Sequence, residues 1–241
     1  MSSRNGLYSV ARWAWQPAKA ARDAIRWAGY ADHRRRTIRA FAGAEFAGLQ
    51  IGCGPHRKSG WINTDLLGNR VMDFPLDITA PLPFPDHFFS VIYGSEVIEH
   101  VERAEAAAFL REAHRVLRPG GVLRLTTPDV EAVAQLYLGT HAKGDLAIQE
   151  RFWLGPEFSR DIWINATFRN YGHRFLYSYE TLAAALSAAG FPEICRTEAQ
   201  QTRSRYPQLR GIEQHYGSDA PIEIYAATMV LEATKALAGP S

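Results

Sequence analysis

The chain has 241 residues, 27 Lys and Arg against 25 Asp and Glu, and 46% hydrophobic residues. This length fits one large folded domain with or without a small appendage, because folding units usually run to about 100–200 residues and α/β units to about 250. The apolar content excludes a disordered chain. Cys53 and Cys195 stand far apart and match no zinc-binding spacing, so we expect neither a disulfide-rich secreted scaffold nor a metal site.

The positive charge is concentrated near the N-terminus. Residues 1–40 carry nine Lys and Arg against Asp23 and Asp32, a local charge of +7, which leaves −5 for the rest. Apolar residues at three- and four-residue steps between Leu7 and Ala28 predict amphipathic helices, interrupted at Pro17. We interpret residues 1–46 as a basic helical extension. No run approaches the ~18 apolar residues of a membrane span, so we expect a cytoplasmic protein.

Three roles are open for this extension. The favoured one is a lid over the ligand site. The second is peripheral contact of residues 1–40 with the inner membrane face, because tryptophans among basic residues suit an interfacial helix. The third is nucleic-acid binding through Arg34, Arg35 and Arg36, for which one basic run is weak evidence, so no nucleic acid is expected. The sequence leaves the oligomeric state open.

From residue 47 onward the pattern alternates between strand-like and helix-like segments, which is typical of a parallel sheet covered by helices. The predicted strands are Ala47–Ile51, Trp61–Asp65, Phe88–Tyr93, Val122–Thr126 and a last strand at Ile222–Val230. The predicted helices are Ala104–Leu117 and Thr181–Ala189. We therefore predict an α/β domain over residues 47–241, with a mostly parallel sheet and helices on both faces.

An aromatic-rich stretch interrupts this alternation at residues 151–180. It holds nine aromatic residues in thirty, more than twice the 12% of the whole chain. An insertion between a strand and the following helix lies over the carboxyl edge of an open α/β sheet, where such folds bind ligands. We interpret it as the substrate side of the site.

A Gly-x-Gly turn, Gly52-Cys53-Gly54, directly follows the first strand. Glycine there lets the backbone approach a ligand and adopt φ angles that a Cβ disfavours. The third position of a dinucleotide fingerprint is Arg57, and no Gly-Lys-Ser/Thr follows, so neither a dinucleotide nor a nucleoside triphosphate is expected. We interpret residues 56–58 as an exposed loop. Asp65 ends the second strand, where a carboxylate can accept both hydroxyls of a ribose.

Taken in order, these motifs resemble the class I, Rossmann-like S-adenosylmethionine-dependent methyltransferases, and more closely a small bacterial branch of them. The resemblance covers about residues 47–200. It implies seven strands, an antiparallel last strand and S-adenosylmethionine as the cofactor. The motifs are Ile51-Gly52-Cys53-Gly54, Gly60-Trp61-Ile62-Asn63-Thr64-Asp65, Glu99-His100-Val101, Arg115-Val116-Leu117-Arg118-Pro119-Gly120-Gly121 and Pro128-Asp129.

The resemblance also implies which residues contact the cofactor. Backbone at the glycine turn meets its methionine end, Asp65 holds the ribose, and Asp77 with Ile78 holds the adenine. The full predicted set is Gln50, Gly52, Cys53, Gly54, Asp65, Leu66, Asp77, Ile78, Gly94 and Ser95. Gln50 stands where the family often has an acid, so it brings no charge. Asp65 follows Gly54 by only eleven positions, so the first crossover helix must be very short or replaced by a loop.

His100 is the first candidate for a general base. Glu96 lies four residues before it and would share a helical face with it, so the carboxylate could orient the imidazole. The alternative is that His100 only packs beside the cofactor. His173 is the second candidate. The resemblance implies that its neighbours Arg169, Tyr171 and Arg174 contact the substrate, with the alternative of a surface loop that only packs.

These residues predict O-methylation of a small or sugar-like acceptor with a histidine base. The family branch is frequent in cell-surface polysaccharide and natural-product pathways. The Asn/Asp-Pro-Pro-Tyr signature of base-methylating relatives is absent from the sequence. The alternative is a methyltransferase-fold binding or regulatory module without transfer activity, with residues 1–40 as its interaction arm. A nicotinamide-dependent oxidoreductase is disfavoured by Arg57.

Overall fold

The computed structural model describes residues 29–66, 70–153, 157–213 and 221–239. Seven strands form one sheet in the order β3-β2-β1-β4-β5-β7-β6. The strands are β1 Gly48–Ile51, β2 Trp61–Asp65, β3 Phe74–Pro75, β4 Phe89–Ser95, β5 Leu117–Pro128, β6 Glu193–Thr197 and β7 Thr228–Thr234. Only β7 runs antiparallel to its neighbours, β5 and β6. The predicted Rossmann-like sheet with an antiparallel last strand is confirmed.

Six α-helices lie in the described part of the chain: α1 Ala31–Phe41, α2 Arg103–Val116, α3 Val130–Leu138, α4 Leu146–Arg151, α5 Arg160–Arg169 and α6 Tyr179–Ala188. None of these helices is long and apolar enough to cross a membrane. Most of the predicted N-terminal extension, including its tryptophans and its apolar repeat, lies outside the described residues. Its described end does contact the domain, since Tyr30, Ile38 and Phe41 pack against the main core.

The position predicted for the last strand is wrong by six residues at its start. Ile222–Ala227 forms a 3₁₀ helix that begins after Pro221, and the strand starts only at Thr228. Ile224 and Tyr225 are buried against Val230 and Ala199. The apolar run therefore indicates that this segment is buried, and burial alone does not distinguish a strand from a short helix.

One face of the sheet carries the main hydrophobic core. Successive side chains of a strand point to opposite faces, so Ile62, Ile92 and Leu123 share one face of neighbouring strands. They pack in a cluster with Leu110 of α2 and Leu186 of α6. The two helices thus cover this face of the sheet.

Residues 198–213, in the long connection between β6 and β7, cover part of the opposite face. Val91 and Tyr93 point to this face and pack with Leu209 and Ile212 of the connection. Arg124 of β5 also points there and is fully buried.

Arg124 forms a buried ionic triad with Glu213 of the connection and Glu232 of β7. Its Nε lies 2.7 Å and its Nη2 2.6 Å from Glu213 Oε1, and its Nη1 lies 2.6 Å from Glu232 Oε1. Glu213 Oε2 in turn accepts a hydrogen bond from the Gln200 amide at 2.6 Å. The connection is therefore fixed to the sheet by charge as well as by apolar packing.

A loop replaces the first crossover helix, as the short spacing predicted. Asn63 of β2 holds this loop, because its Oδ1 accepts from the Lys58 amide at 2.8 Å and its Nδ2 donates to the Lys58 carbonyl at 3.0 Å. The Lys58 ammonium donates to the carbonyl of Ile212 at 2.8 Å. The interpretation of residues 56–58 as a free exposed loop is wrong for Lys58, which is half-buried and joins the loop to the β6–β7 connection.

Candidate active site

The carboxyl ends of β1, β2 and β4 meet at one edge of the sheet. Ile51 pairs with Thr64 on one side and with Gly94 on the other. Because the three strands are parallel, the segments that follow them emerge side by side. The glycine turn, Asp65 and Ser95 are therefore neighbours at this edge, which we call the cofactor edge.

The glycine turn needs glycine for two reasons. Gly52 and Gly54 have φ angles of 64° and 50°, in the left-handed region that residues with a side chain rarely adopt. A Cβ added at Gly52 would also lie 2.5 Å from Val97 Cγ2. Gly54 donates its amide hydrogen to Asp65 Oδ2 at 2.9 Å, which holds the carboxylate against the turn. Cys53 between them is buried.

Gln50 gives an independent sign that this edge holds a polar ligand. Its side chain is 4% exposed, and its Oε1 has no hydrogen-bond partner among the described residues. A buried acceptor without a partner costs about 1–3 kcal/mol, so such atoms call for an explanation. An amide oxygen can accept from an ammonium group, as the methionine end of S-adenosylmethionine would offer. The residues at the turn therefore fit that cofactor.

The structure places the remaining predicted cofactor residues around the same edge. Asp77 Oδ1 accepts from the amide and the hydroxyl of Thr79 at 2.9 and 2.7 Å, and Ile78 beside it is buried. Leu66 follows Asp65 and is 48% exposed. Ser95 Oγ shares a hydrogen bond with Thr126 Oγ1 at 2.7 Å. Their roles toward the cofactor stay predictions.

The two candidate histidines lie in contact. The rings of His100 and His173 are 4.9 Å apart between centroids and meet edge to face. His100 ends a 3₁₀ turn, Ile98–His100, that follows β4. His173 follows α5, and the next two amides, of Arg174 and Phe175, both donate to the Glu99 carbonyl at 2.7 and 3.2 Å. The aromatic-rich segment is thus anchored to the end of β4, beside the glycine turn.

A hydrogen bond selects one tautomer of His173. Its Nδ1 lies 2.6 Å from the carbonyl oxygen of Thr167, which can only accept, so Nδ1 carries the hydrogen. The lone pair is then on Nε2. Burial lowers the pKa of His173 below its ordinary value, and the bond to Thr167 offsets part of this effect. The ring is therefore neutral at pH 7 and can accept a proton at Nε2.

The predicted pairing of Glu96 with His100 on one helical face is wrong. Glu96 has a φ of 52°, and only the three residues from Ile98 form the 3₁₀ turn. Glu99 is the acid beside His100 instead, with 3.8 Å between its Oε1 and His100 Nε2. Glu99 is fully buried and its Oε2 accepts from Thr127 Oγ1 at 2.9 Å. The sequence placed Glu99 in the motif but gave no sign of its burial.

The fully buried Glu99 and the partly buried Glu96 form a pair of carboxyl groups joined by a side-chain hydrogen bond. Burial raises the pKa of Glu99 to about 7. Burial also raises the pKa of Glu96 well above its ordinary value, and the negative charge of Glu99 raises it further. At least one of the two therefore keeps its proton near pH 7.

We expect the stability of the protein to fall as the pH rises through this range. A raised pKa means that the folded state binds the proton more tightly, so its contribution is complete below the unfolded pKa and is lost as pH rises through the folded pKa. Between about pH 5 and about pH 8, wild type should lose about 2–3 kcal/mol of unfolding free energy relative to Glu99→Gln. Urea unfolding at several pH values measures this. Glu150→Gln removes an exposed carboxyl on α4 and is the control, so its stability should change with pH as that of wild type does. If the difference in stability between wild type and Glu99→Gln were the same at every pH, the carboxyl pair would be contradicted.

The predicted substrate residues surround the two histidines unevenly. Tyr171 lies 5.9 Å from His173 between ring centroids and is 63% exposed. Arg174 is half exposed, with its Nε 3.9 Å from Glu102 Oε1. Arg169 is exposed at the end of α5. Tyr171 has a φ of 64°, so the backbone immediately before His173 is held in a rarely populated conformation. Contact of these residues with a substrate stays a prediction.

Comparison with known proteins finds similarity to methyltransferases over part of the chain. Residues 63–125 match the family model described as a methyltransferase domain. A probable S-adenosylmethionine-dependent methyltransferase of Mycolicibacterium smegmatis is 46% identical over 50 residues, which are 21% of this chain and 19% of that protein. The chain thus matches only about a fifth of that relative's length.

Solved methyltransferase structures also align with the chain. A SAM-dependent methyltransferase from Archaeoglobus fulgidus aligns with a TM-score of 0.45 and 18% identity over 88% of this chain and 94% of its own. Another from Thermotoga maritima aligns with a TM-score of 0.45 and 20% identity over 89% and 95%.

The strand order and the antiparallel β7 define a Rossmann-like fold. Residues 63–125 are similar to a methyltransferase domain.

Proposed function

We propose that the protein transfers a methyl group from S-adenosylmethionine to a hydroxyl group of a small or sugar-like acceptor, with His173 as the general base. The observation that carries this proposal is the contact of His100 with His173 beside the cofactor edge. A hydroxyl is a weak nucleophile unless its proton is removed, and an imidazole is the side chain best suited to remove it near neutral pH.

The cofactor, when bound, supplies a methyl group on a positively charged sulfur, which leaves as a neutral thioether. The chain's own residues then have three tasks. Gln50, the glycine turn and Asp65 bind the cofactor at one edge of the sheet. His173 Nε2 takes the proton of the acceptor hydroxyl as its oxygen forms the new bond to carbon. His100 packs against His173 and restricts the position of its ring.

The acceptor side favours a polar substrate of modest size. Arg174 and Arg169 lie close in sequence to His173 and can pair with a carboxylate or phosphate on the acceptor. Exposed Tyr171 offers an aromatic face and a hydroxyl, a combination that suits a sugar ring or a similar polar ring. These groups support a small-molecule or glycan acceptor over a nucleic acid.

Titration calorimetry with S-adenosylmethionine and S-adenosylhomocysteine tests the cofactor half of this proposal, with NAD as the negative control. We expect binding of both sulfur compounds and none of NAD. Asp65→Ala should weaken binding by about 1.5–3 kcal/mol, roughly a factor of 10 to 150, because a charged hydrogen bond is lost. Asp86→Ala is the matched control, since Asp86 is an exposed acid paired with Arg115.

The same titration separates the alternative functions. An unchanged dissociation constant in Asp65→Ala would contradict its role toward the ribose. Binding of the cofactor without transfer to any of a panel of hydroxyl acceptors would favour the binding or regulatory module. Binding of NAD instead would favour an oxidoreductase.

We also propose that the basic N-terminal extension closes over the acceptor, and that contact with the inner membrane face is its alternative role. The packing of Phe41 and Ile38 on the main core supports the first role, because it brings the end of the extension against the domain. A cytoplasmic location stays part of this proposal.

A further inference from the structure

Three groups that bind metals converge at the acceptor side. One ligand atom each of Glu99, His100 and His173 lies within 4.8 Å of the other two. We propose that these three side chains form a binding site for a zinc-class divalent cation, and that the bound ion blocks methyl transfer. The inhibitory part rests on the proposed function; the binding part does not.

The first ligand of the proposed site is the carboxylate of Glu99. It is fully buried and has a side-chain hydrogen bond with the carboxyl group of Glu96. Its Oε2 is held by the Thr127 hydroxyl at 2.9 Å, which leaves Oε1 directed to His100 Nε2, 3.8 Å away. A buried carboxylate needs a compensating positive charge, and a cation at Oε1 would supply it with release of the proton that the carboxyl pair holds.

The other two ligands are the imidazoles of His100 and His173. His173 donates a hydrogen bond from Nδ1–H to the Thr167 carbonyl. Metal-bound histidines almost always donate such a hydrogen bond from the ring nitrogen that does not bind the metal. Its Nε2 lone pair is therefore available as a ligand. His100 is about one-third exposed, so solvent reaches the cluster and an ion can enter.

Ligand type and number select the ion. Two imidazoles and one carboxylate suit zinc and its neighbours, whereas Mg²⁺ and Ca²⁺ prefer oxygen ligands alone. Zinc bonds of about 2.0–2.2 Å in a tetrahedron separate the ligand atoms by about 3.3 Å. Side chains that start within 4.8 Å must therefore close by on the order of 1 Å, and three protein ligands leave a fourth position open.

Zinc and the acceptor proton would compete for one lone pair. Coordination uses His173 Nε2, the atom that we assign as the base. An ion at this site therefore leaves the cofactor edge intact but removes the proton acceptor, so cofactor binding and transfer should respond differently to zinc.

Titration calorimetry of the full chain with zinc chloride, without cofactor or acceptor, tests the site directly. We expect one equivalent to bind in wild type. Binding should weaken by about 100-fold or more in His173→Ala and Glu99→Gln, and by about 10–100-fold in Thr127→Val, which removes only the outer hydrogen bond. His141→Ala, in a loop after α3, is the matched control and should bind as wild type. Circular dichroism of each variant verifies folding.

The results of these titrations test the zinc site and its inhibitory role separately. Equal zinc binding in wild type, His173→Ala and Glu99→Gln, or no binding in wild type, would overturn the site. If zinc binds there but does not lower the rate of transfer, or if a chelator does not restore the rate, the inhibitory role is overturned. A failure of S-adenosylmethionine binding would instead overturn the proposed function and leave the zinc result standing.

Discussion

Replacing Arg124 by alanine should destabilise the protein by about 3–5 kcal/mol, the usual cost of leaving buried charges without their partner. Arg124, Glu213 and Glu232 are each 2% exposed or less, and the guanidinium contacts both carboxylates at 2.6–2.7 Å. Without it, two carboxylates stay buried with no positive charge between them. The effect is a large fraction of the 5–15 kcal/mol that stabilises a typical domain.

Chemical unfolding followed by tryptophan fluorescence and circular dichroism measures this loss. Arg160→Ala, at an exposed arginine on α5 that donates to the Tyr137 carbonyl, is the matched control and should change stability by no more than about 0.5 kcal/mol. Arg124→Lys keeps the positive charge but loses the planar guanidinium group. Its loss of stability should therefore lie between those of Arg160→Ala and Arg124→Ala. If Arg124→Ala lost less than about 1 kcal/mol, the triad would not fix the β6–β7 connection as described.

Replacing His173 by alanine should lower kcat by about 10²–10⁴-fold, the range that a positioned general base contributes. His100→Ala should have a smaller effect on kcat, because His100 positions the ring of His173 and does not accept the proton in our assignment. Neither change should alter the affinity for S-adenosylmethionine by much, since neither residue lies in the glycine turn. Single-turnover transfer assays with a hydroxyl acceptor give kcat, and calorimetry gives the affinity.

The pH dependence of the rate distinguishes the base from a merely structural histidine. The base acts only when neutral, so the rate should rise with pH and level off. Burial lowers the pKa of His173, so this rise should be complete at a lower pH than an ordinary imidazole would give. In His173→Ala the rise should disappear, whereas His141→Ala should keep both the rate and its pH profile. An unchanged profile in His173→Ala would assign the base to another residue.

The parts of the fold that the sequence predicts are those with local signals. Trp61–Asp65 was predicted with its observed bounds, because Trp, Ile and Thr favour strands and the segment starts directly after Gly60. The glycine turn and the loop in place of the first crossover helix followed from spacing alone. The last strand was misplaced, since Ile224 and Tyr225 of a 3₁₀ helix are as apolar as strand residues.

The parts that escaped prediction depend on contacts between distant segments. Glu213 forms an ion pair with Arg124, which lies 89 positions earlier in the chain, and no periodic pattern in the sequence predicts such a pair. Both histidines of the candidate site were predicted, but their contact was not, and the acid beside His100 was misassigned. The choice between Glu96 and Glu99 depended on a backbone φ of 52° at Glu96, which a non-glycine residue seldom adopts.

The contact between Lys58 and Ile212 bears on when the cofactor edge can form during synthesis. These residues are 154 positions apart in the chain, and Lys58 lies in the loop that follows the glycine turn. Proteins are made from the N-terminus at about 5–20 residues per second, so the turn exists for many seconds before its late partner leaves the ribosome. The loop beside the cofactor edge can therefore reach its final contacts only after Ile212 has been synthesised.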